Sequence, residues 1–409
     1  MPSFPIAAVR AQFPALARQV NGRPAVFFDG PAGSQVPRSV AEAVAGYMLE
    51  HNANHGGLFA TSVESDAMLL EAQRAAADFV GASDPAEIVF GANMTTLTFA
   101  FSRALAQTWK PGDEIIVTAL DHDANVTPWT VAAREKGVEV RRVRFDPEDC
   151  TLDVADLESK LSKKTRLVAA ACASNAVGSL TPVKRIAELA HAAGAEVFFD
   201  AVHYAPHGMT DVSNWGADYC VCSAYKFFGP HVGILWGRHE RLDALLPYKV
   251  RPSADVSPDR WMTGTPNFEG IAGARAAIAY VAGLGEGGDR RARLRSAFAR
   301  ISEYERELSR HLLAKLAALP DIRILGITDA ARLNERVPTV SFVHRRHEAG
   351  AIAEHLAARG IFVWNGNMYA LSLSEALGLE PHGMVRVGLL HYNTPEEIDR
   401  LIEALKELR

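Results

Sequence analysis

The chain has 409 residues, 48% hydrophobic and 22% charged, with a formal net charge of −5. That length supports two or three domains with a large core, and the mixed, slightly acidic charge pattern without a basic cluster argues against a nucleic-acid partner. No stretch is long, apolar and uncharged enough to span a bilayer, and residues 1–12 hold no long apolar run, so a soluble, cytoplasmic protein without a membrane partner is expected.

An N-terminal arm over residues 1–20 is expected to pack on a small C-terminal domain. The strand Ala25–Phe28 then closes on the Gly/Pro loop Asp29–Ser34, followed by helices over 40–49 and 65–80. The strand Glu87–Phe90 runs through Gly91-Ala92-Asn93-Met94-Thr95-Thr96 into a helix over 97–106. Strand, small polar turn and helix make a phosphate-binding arrangement, because free N–H groups and hydroxyls converge at the helix start. Taken alone, Thr95 and Thr96 read first as simple helix caps. Further strands at Glu114–Val117 and Leu167–Ala170 end in Asp121-His122-Asp123-Ala124-Asn125 and Ser174-Asn175. Thr181, Pro182 and Gly194 punctuate the next helix as N-cap, first helical position and stop.

The densest stretch follows. Val197-Phe198-Phe199 ends on Asp200, and Tyr219-Cys220-Val221-Cys222 breaks into Ser223-Ala224-Tyr225-Lys226. Two buried strands would bring the carboxylate and the lysine to one crevice at the sheet's carboxyl edge. A lysine among Tyr225, Phe227 and Phe228 is desolvated, which lowers its pKa and makes it a nucleophile toward an aldehyde. Seen in isolation it would be a lysine on a sheet edge. Alternating strands and helices over 85–237 indicate right-handed βαβ units and a mostly parallel sheet, giving an α/β large domain over 21–264. After Gly264-Thr265-Pro266-Asn267, helices over 271–284 and 290–319, strands near 337–343, 361–364 and 384–389, and a capping box at Thr394–Glu397 form a smaller α+β domain over 265–409.

The four cysteines, Cys150, Cys172, Cys220 and Cys222, lack zinc spacing and read as buried thiols in a reducing compartment. Pro206 between His203 and His207 argues against a helical metal pair, and no metal is expected. Gly283–Gly288 follows a helix rather than a strand, so it is a turn and not a dinucleotide fingerprint.

Pyridoxal phosphate chemistry requires a lysine for the aldehyde, a carboxylate for the pyridine nitrogen and a phosphate cup. It also uses a flat ring to stack and an arginine to grip a substrate carboxylate. Lys226, Asp200, Thr95 with Thr96, His122 and Arg386 supply these types, each in or beside a predicted strand end. On these residues the chain resembles the class V aminotransferases, a branch of the fold-type I pyridoxal-phosphate enzymes, and within them the cysteine desulfurase and selenocysteine lyase group. The resemblance runs from Asp29-Gly30-Pro31-Ala32 to Arg386. It implies a seven-stranded-type sheet, pyridoxal 5'-phosphate as cofactor, Lys226 as Schiff-base lysine and Asp200 as pyridinium partner. It further implies His122 stacking on the ring, Thr95, Thr96 and Ser223 on the phosphate, and Asn175 near the ring oxygen and substrate carboxylate. Thr265 would reach the phosphate of a partner subunit in a homodimer.

Three departures stand out. Tyr369 occupies the loop position where the desulfurases carry a nucleophilic cysteine, and a phenol cannot take up sulfur as a persulfide. His203 replaces a glutamine and keeps a donor for the ring hydroxyl, while Tyr225 replaces a histidine and keeps one for the phosphate. The expectation is a small amino-acid substrate and lyase chemistry at a C–S or other β-bond without a persulfide cysteine. Transamination, epimerisation and a non-catalytic cofactor-binding dimer are the alternatives on the same scaffold.

Overall fold

The computed structural model describes residues 4–408, so Met1 to Ser3 of the expected arm lie outside the described residues. The remainder of the arm packs inward through Val9 and Phe13, and the Arg10 guanidinium meets Glu397 at 2.9 Å.

A short strand β1 (Val26–Phe27) precedes helices α1 (Arg38–Gly46) and α2 (Ala60–Val80). Gly81 ends α2 at φ 80°, a left-handed turn that favours glycine. Then come β2 (Ile88–Gly91), α3 (Met94–Leu105), β3 (Glu114–Thr118), α4 (Thr127–Lys136), β4 (Glu139–Val143), β5 (Thr165–Ala171), α5 (Val183–Ala193), β6 (Glu196–Asp200), β7 (Tyr219–Ser223) and β8 (Gly233–Gly237). These strands form one seven-stranded sheet in the order β2-β8-β7-β6-β5-β3-β4. Every neighbouring pair is parallel except those made by β8, which runs antiparallel to β2 and β7.

The inner strands are apolar on both faces because helices cover both. Ile116, Val168, Phe199 and Cys220 face one buried cluster, and Ile115, Val117, Phe198 and Val221 face the other. Thr181 is not the cap of α5. Its hydroxyl instead donates to the Ala171 carbonyl at the end of β5, and Pro182 takes the cap position. A buried strand-end carbonyl needs a partner more than a helix start does.

Helix α6 (Phe268–Gly283) packs on α1 and α2, and the 28-residue α7 (Arg290–Ala317) follows the glycine turn. The second sheet is antiparallel, ordered β9 (Ile322–Leu325), β10 (Thr339–His344), β13 (Met384–Gly388) and β12 (Trp364–Gly366). Helix α8 (Ala349–Ala357) and the final helix α9 (Pro395–Lys406), with its Thr394–Glu397 capping box, cover it. Between α8 and β12, β11 (Ile361–Phe362) pairs in parallel with β1. No helix among the described residues is long and apolar enough to cross a membrane.

Candidate active site

The carboxyl ends of β2, β3, β5, β6 and β7 open on one side of the sheet, and the chain reverses its winding direction between β3 and β5. Such a switch point leaves a crevice because successive loops leave in opposite directions. Here it holds a cavity of ≈ 630 Å³ lined by Thr95, His122, Asn175, Asp200, His203, Ser223, Tyr225, Lys226 and Arg386. Nine of the eleven sequence-predicted site residues therefore meet in one space. Thr96 does not: its hydroxyl bonds the Asn93 carboxamide at 3.0 Å on the outer side of the turn. Thr265 lies on an exposed turn before α6, also outside the cavity.

Lys226 follows β7 in a tight turn and donates to the carbonyls of Pro31 and Ala32, the latter at 3.1 Å. Those carbonyls are placed by the loop after β1, which packs so tightly on β13 that a Cβ on Gly388 would fall 1.8 Å from Pro31. The Lys226 ammonium also sits 4.8 Å from the centre of the Tyr225 ring. Burial, followed by the nearby Arg386 charge, lowers the Lys226 pKa to about 7. Burial raises Asp200 to about 6, against the Val202 amide that donates to its Oδ1 at 2.8 Å. These opposed shifts leave a readily deprotonated amine and a carboxylate that binds protons readily, at the two ends of β6 and β7.

His122 is kept neutral, its pKa pushed down to about 4 by burial and by Lys226. Its Nδ1 accepts the Ala124 amide at 3.0 Å, so the proton of the neutral ring belongs on Nε2. Tyr369 stacks on it, with ring centres 5.4 Å apart and planes 17° from parallel. Arg386, buried on β13, donates to the Asn175 carbonyl at 2.8 Å while its Nε has no partner. Burial brings its pKa down to about 9, opposed by Asp29.

The end of the cavity at the start of α3 is built from backbone as much as from hydroxyls. Asn93 caps α3 by accepting the Thr96 amide at 2.9 Å, and the Met94 amide donates to Ser223 Oγ at 3.0 Å. Asn93 and Met94 line the cavity and were missed because a capping Asn before a helix is common in any fold. His231, stacked on Tyr225 at 4.9 Å, and Asp29 beside Arg386 were also missed, since neither sits in a distinctive pattern.

The mouth is formed by Trp364 to Tyr369. Met368 and Tyr369 both take positive φ, 58° and 57°, which is uncommon for side chains of that size. The loop is tethered on two sides: Asn175 Nδ2 donates to the Met368 carbonyl at 2.8 Å, and the Asp123 amide to the Tyr369 carbonyl at 2.7 Å. None of the four cysteines lines the cavity, and all are buried. Among the described residues no group of three or more His, Cys, Asp or Glu side chains could hold a metal ion.

Residues 26–401 match the family model described as aminotransferase class-V. The chain is 34% identical to a cysteine desulfurase of Pectobacterium carotovorum over 421 aligned positions, covering 99% of this chain and 98% of that one. A cysteine desulfurase of Cronobacter sakazakii is 33% identical, with 98% of each covered. Among solved structures, the apo cysteine desulfurase of Thermococcus onnurineus superposes with a TM-score of 0.89 at 28% identity, covering 100% of this chain and 98% of that one. The Escherichia coli cysteine desulfurase in its S-sulfonic acid form gives 0.85 at 27%, with 98% of each covered.

Proposed function

The chain belongs to the class V aminotransferase family and is a pyridoxal-phosphate-dependent enzyme; from that premise we propose a lyase that breaks a C–S or other β-bond in a small amino acid, without a persulfide cysteine. The supporting observation is the cavity mouth, where an exposed phenol, Tyr369, stands on the loop while every thiol lies in the core. Burial pushes the thiols of Cys150, Cys172, Cys220 and Cys222 upward, so none is a ready thiolate.

The donor set fits the cofactor. The cavity has an amine at one wall, a carboxylate at the floor and helix amides with hydroxyls at one end. Two polar atoms, Asn175 Oδ1 and Arg386 Nε, are buried there without partners. Groups of this kind are rarely left unpaired unless something completes them. Bound pyridoxal phosphate supplies an electron sink for the charge left at the substrate's Cα. In this reading Lys226 would hold the cofactor's aldehyde and would serve as the base for the substrate's Cα proton. Asp200 keeps the pyridine nitrogen protonated, and His122 presents its flat face to the ring. Thr95 with its backbone amide, Ser223 and Tyr225 would hold the phosphate, and His203 would donate toward the ring hydroxyl. Arg386 and Asn175 receive the substrate carboxylate, which fixes which bond at Cα lies over the ring.

The proposal includes a cytoplasmic homodimer in which Thr265 reaches the partner's phosphate. Exposed apolar side chains such as Leu49, Leu58, Phe59 and Tyr248 support an association surface.

The test offers the holoenzyme a panel of amino acids while sulfide or other released β-substituent, keto acid and Cα deuterium exchange are followed together. Release of the β-substituent is expected, unchanged in a variant lacking all four cysteines. Keto acid that retains its β-substituent identifies a transaminase instead. Sulfide formation that depends on one cysteine overturns the reading. A companion variant, Tyr369→Cys, is expected to acquire a persulfide detectable by alkylation and mass spectrometry.

A further inference from the structure

Behind the cavity lies a set of ionisable groups that the proposed chemistry does not use. The segment after β6 turns back on α7, where Ser302 Oγ donates to the His207 carbonyl at 2.8 Å. One turn further along α7, Glu305 Oε2 lies 2.8 Å from His207 Nδ1. Both residues are buried, Glu305 at 2% exposure and His207 at 4%. The other face of His207 meets His203, their ring centres 5.5 Å apart and their planes at 74°. His203 Nε2 is sealed from solvent with no hydrogen-bond partner, while the ring itself lines the cavity.

The proton count of this set follows from burial. A hydrogen bond at 2.8 Å between Glu305 and His207 Nδ1 holds one proton. If His207 carried no other, the pair would be a net negative charge in the core, which is costly without a compensating cation. A neutral pair has a second proton, on His207 Nε2, whether the first sits on the acid or on Nδ1. That N–H is a donor directed away from Glu305, on a ring packed 5.5 Å centre to centre against His203, whose Nε2 has no partner and can accept it. A small turn about the soft terminal torsion of either imidazole closes the contact. With Nε2 accepting, the proton of a neutral His203 resides on Nδ1. His203 is kept neutral, its pKa held well down by burial, then by His207, Arg386, Lys226 and His122.

We propose that Glu305 and His207 are positioning residues that share a buried proton and thereby fix His203 in the tautomer donating from Nδ1 toward the cofactor's ring hydroxyl. The proposal rests on the reading that His203 faces that hydroxyl, and it assigns a role to two residues that never touch the cofactor. Glutamine could donate there without support, since its amide nitrogen is always a donor. An imidazole can present either face of its proton balance, so it needs a second group to choose.

Two measurements test it. Nitrogen-15 spectra of histidine-labelled protein, with and without pyridoxal phosphate, are expected to show His203 protonated on Nδ1. Protonation on Nε2 overturns the proposal. The second is a double-mutant cycle read as the dissociation constant of pyridoxal phosphate, by absorbance titration of the apoprotein. His207→Phe is expected to weaken binding about tenfold, equivalent to ~1.4 kcal/mol, in the native background. In a His203→Gln background the same change is expected to alter it less than about twofold. Equal weakening in both backgrounds marks His207 as structural and overturns the proposal. If the Phe variant does not fold, Glu305→Gln runs the same cycle with the same criterion. Absence of a borohydride-fixed label on Lys226 would instead sink the cofactor assignment, leaving the tautomer measurement on the apoprotein to stand by itself.

Discussion

Lys226 concentrates the residue-scale chemistry, and its protonation has a thermodynamic signature. In the cofactor-free fold it releases its proton near pH 7, whereas the unfolded chain keeps it to the ordinary lysine value of 10.5. Between those values the unfolded state binds more protons, so this group makes stability rise with pH across the window and costs most at its lower end. Lys226→Met removes that dependence. Urea unfolding of the two apoproteins at pH 7.5 and 9.5 should show the wild type gaining on the variant at the higher pH; a constant difference would mean the lysine is not desolvated. In the holoenzyme, Lys226→Ala is expected to abolish the borohydride-fixed label and to slow Cα proton exchange by roughly 10²–10⁴-fold. Lys226 and Asp200 each follow an apolar run, and with Arg386 inside the last strand they were legible together, since the joint occurrence of these types has fewer structural explanations than any one alone. Asp29 was not, since an acid in a Gly/Pro loop looks like any turn residue until Arg386 is folded beside it.

At the scale of elements, the start of α3 is held from several sides. Its first amide is engaged by Ser223, its cap is Asn93, and the backbone of Asn93 lies directly against β8. A Cβ on Gly233 would come within 2.5 Å of the Asn93 carbonyl carbon, a backbone atom that cannot swing aside. Gly233→Ala is therefore expected to shift the cap and weaken pyridoxal phosphate binding more than it lowers the melting temperature. Fluorescence titration of the apoprotein alongside a thermal melt checks this. The buried strands β3, β5, β6 and β7 announce themselves as short apolar runs, and the Thr394 capping box marks α9. Strand β4 did not, because as a sheet edge it carries Arg141 and Arg142 and only Val143 is buried. The antiparallel setting of β8 was equally hidden, for pairing direction depends on the path of the chain and leaves no mark in residue type.

For the whole molecule, the same polypeptide folds its first strand into its last third. Leu49, Leu58, Phe59, Tyr248 and Val250 are exposed apolar side chains of the large domain that a second copy is proposed to cover. Sedimentation of the holoenzyme is expected to give a dimer, and Leu58→Asp with Phe59→Asp to give monomers with weaker cofactor binding. Monomers that keep full affinity would remove Thr265 from the phosphate site. The pairing of β1 with β11 joins residues 26–27 to 361–362, and it bears on biosynthesis. A nascent chain leaves the ribosome with this strand first, and its partner is made more than three hundred residues later. Until then the loop that carries Pro31 and Ala32 has no β13 to lean on. The cradle for Lys226 is thus among the last parts to form, and vitamin B6 loading should await release of the finished polypeptide.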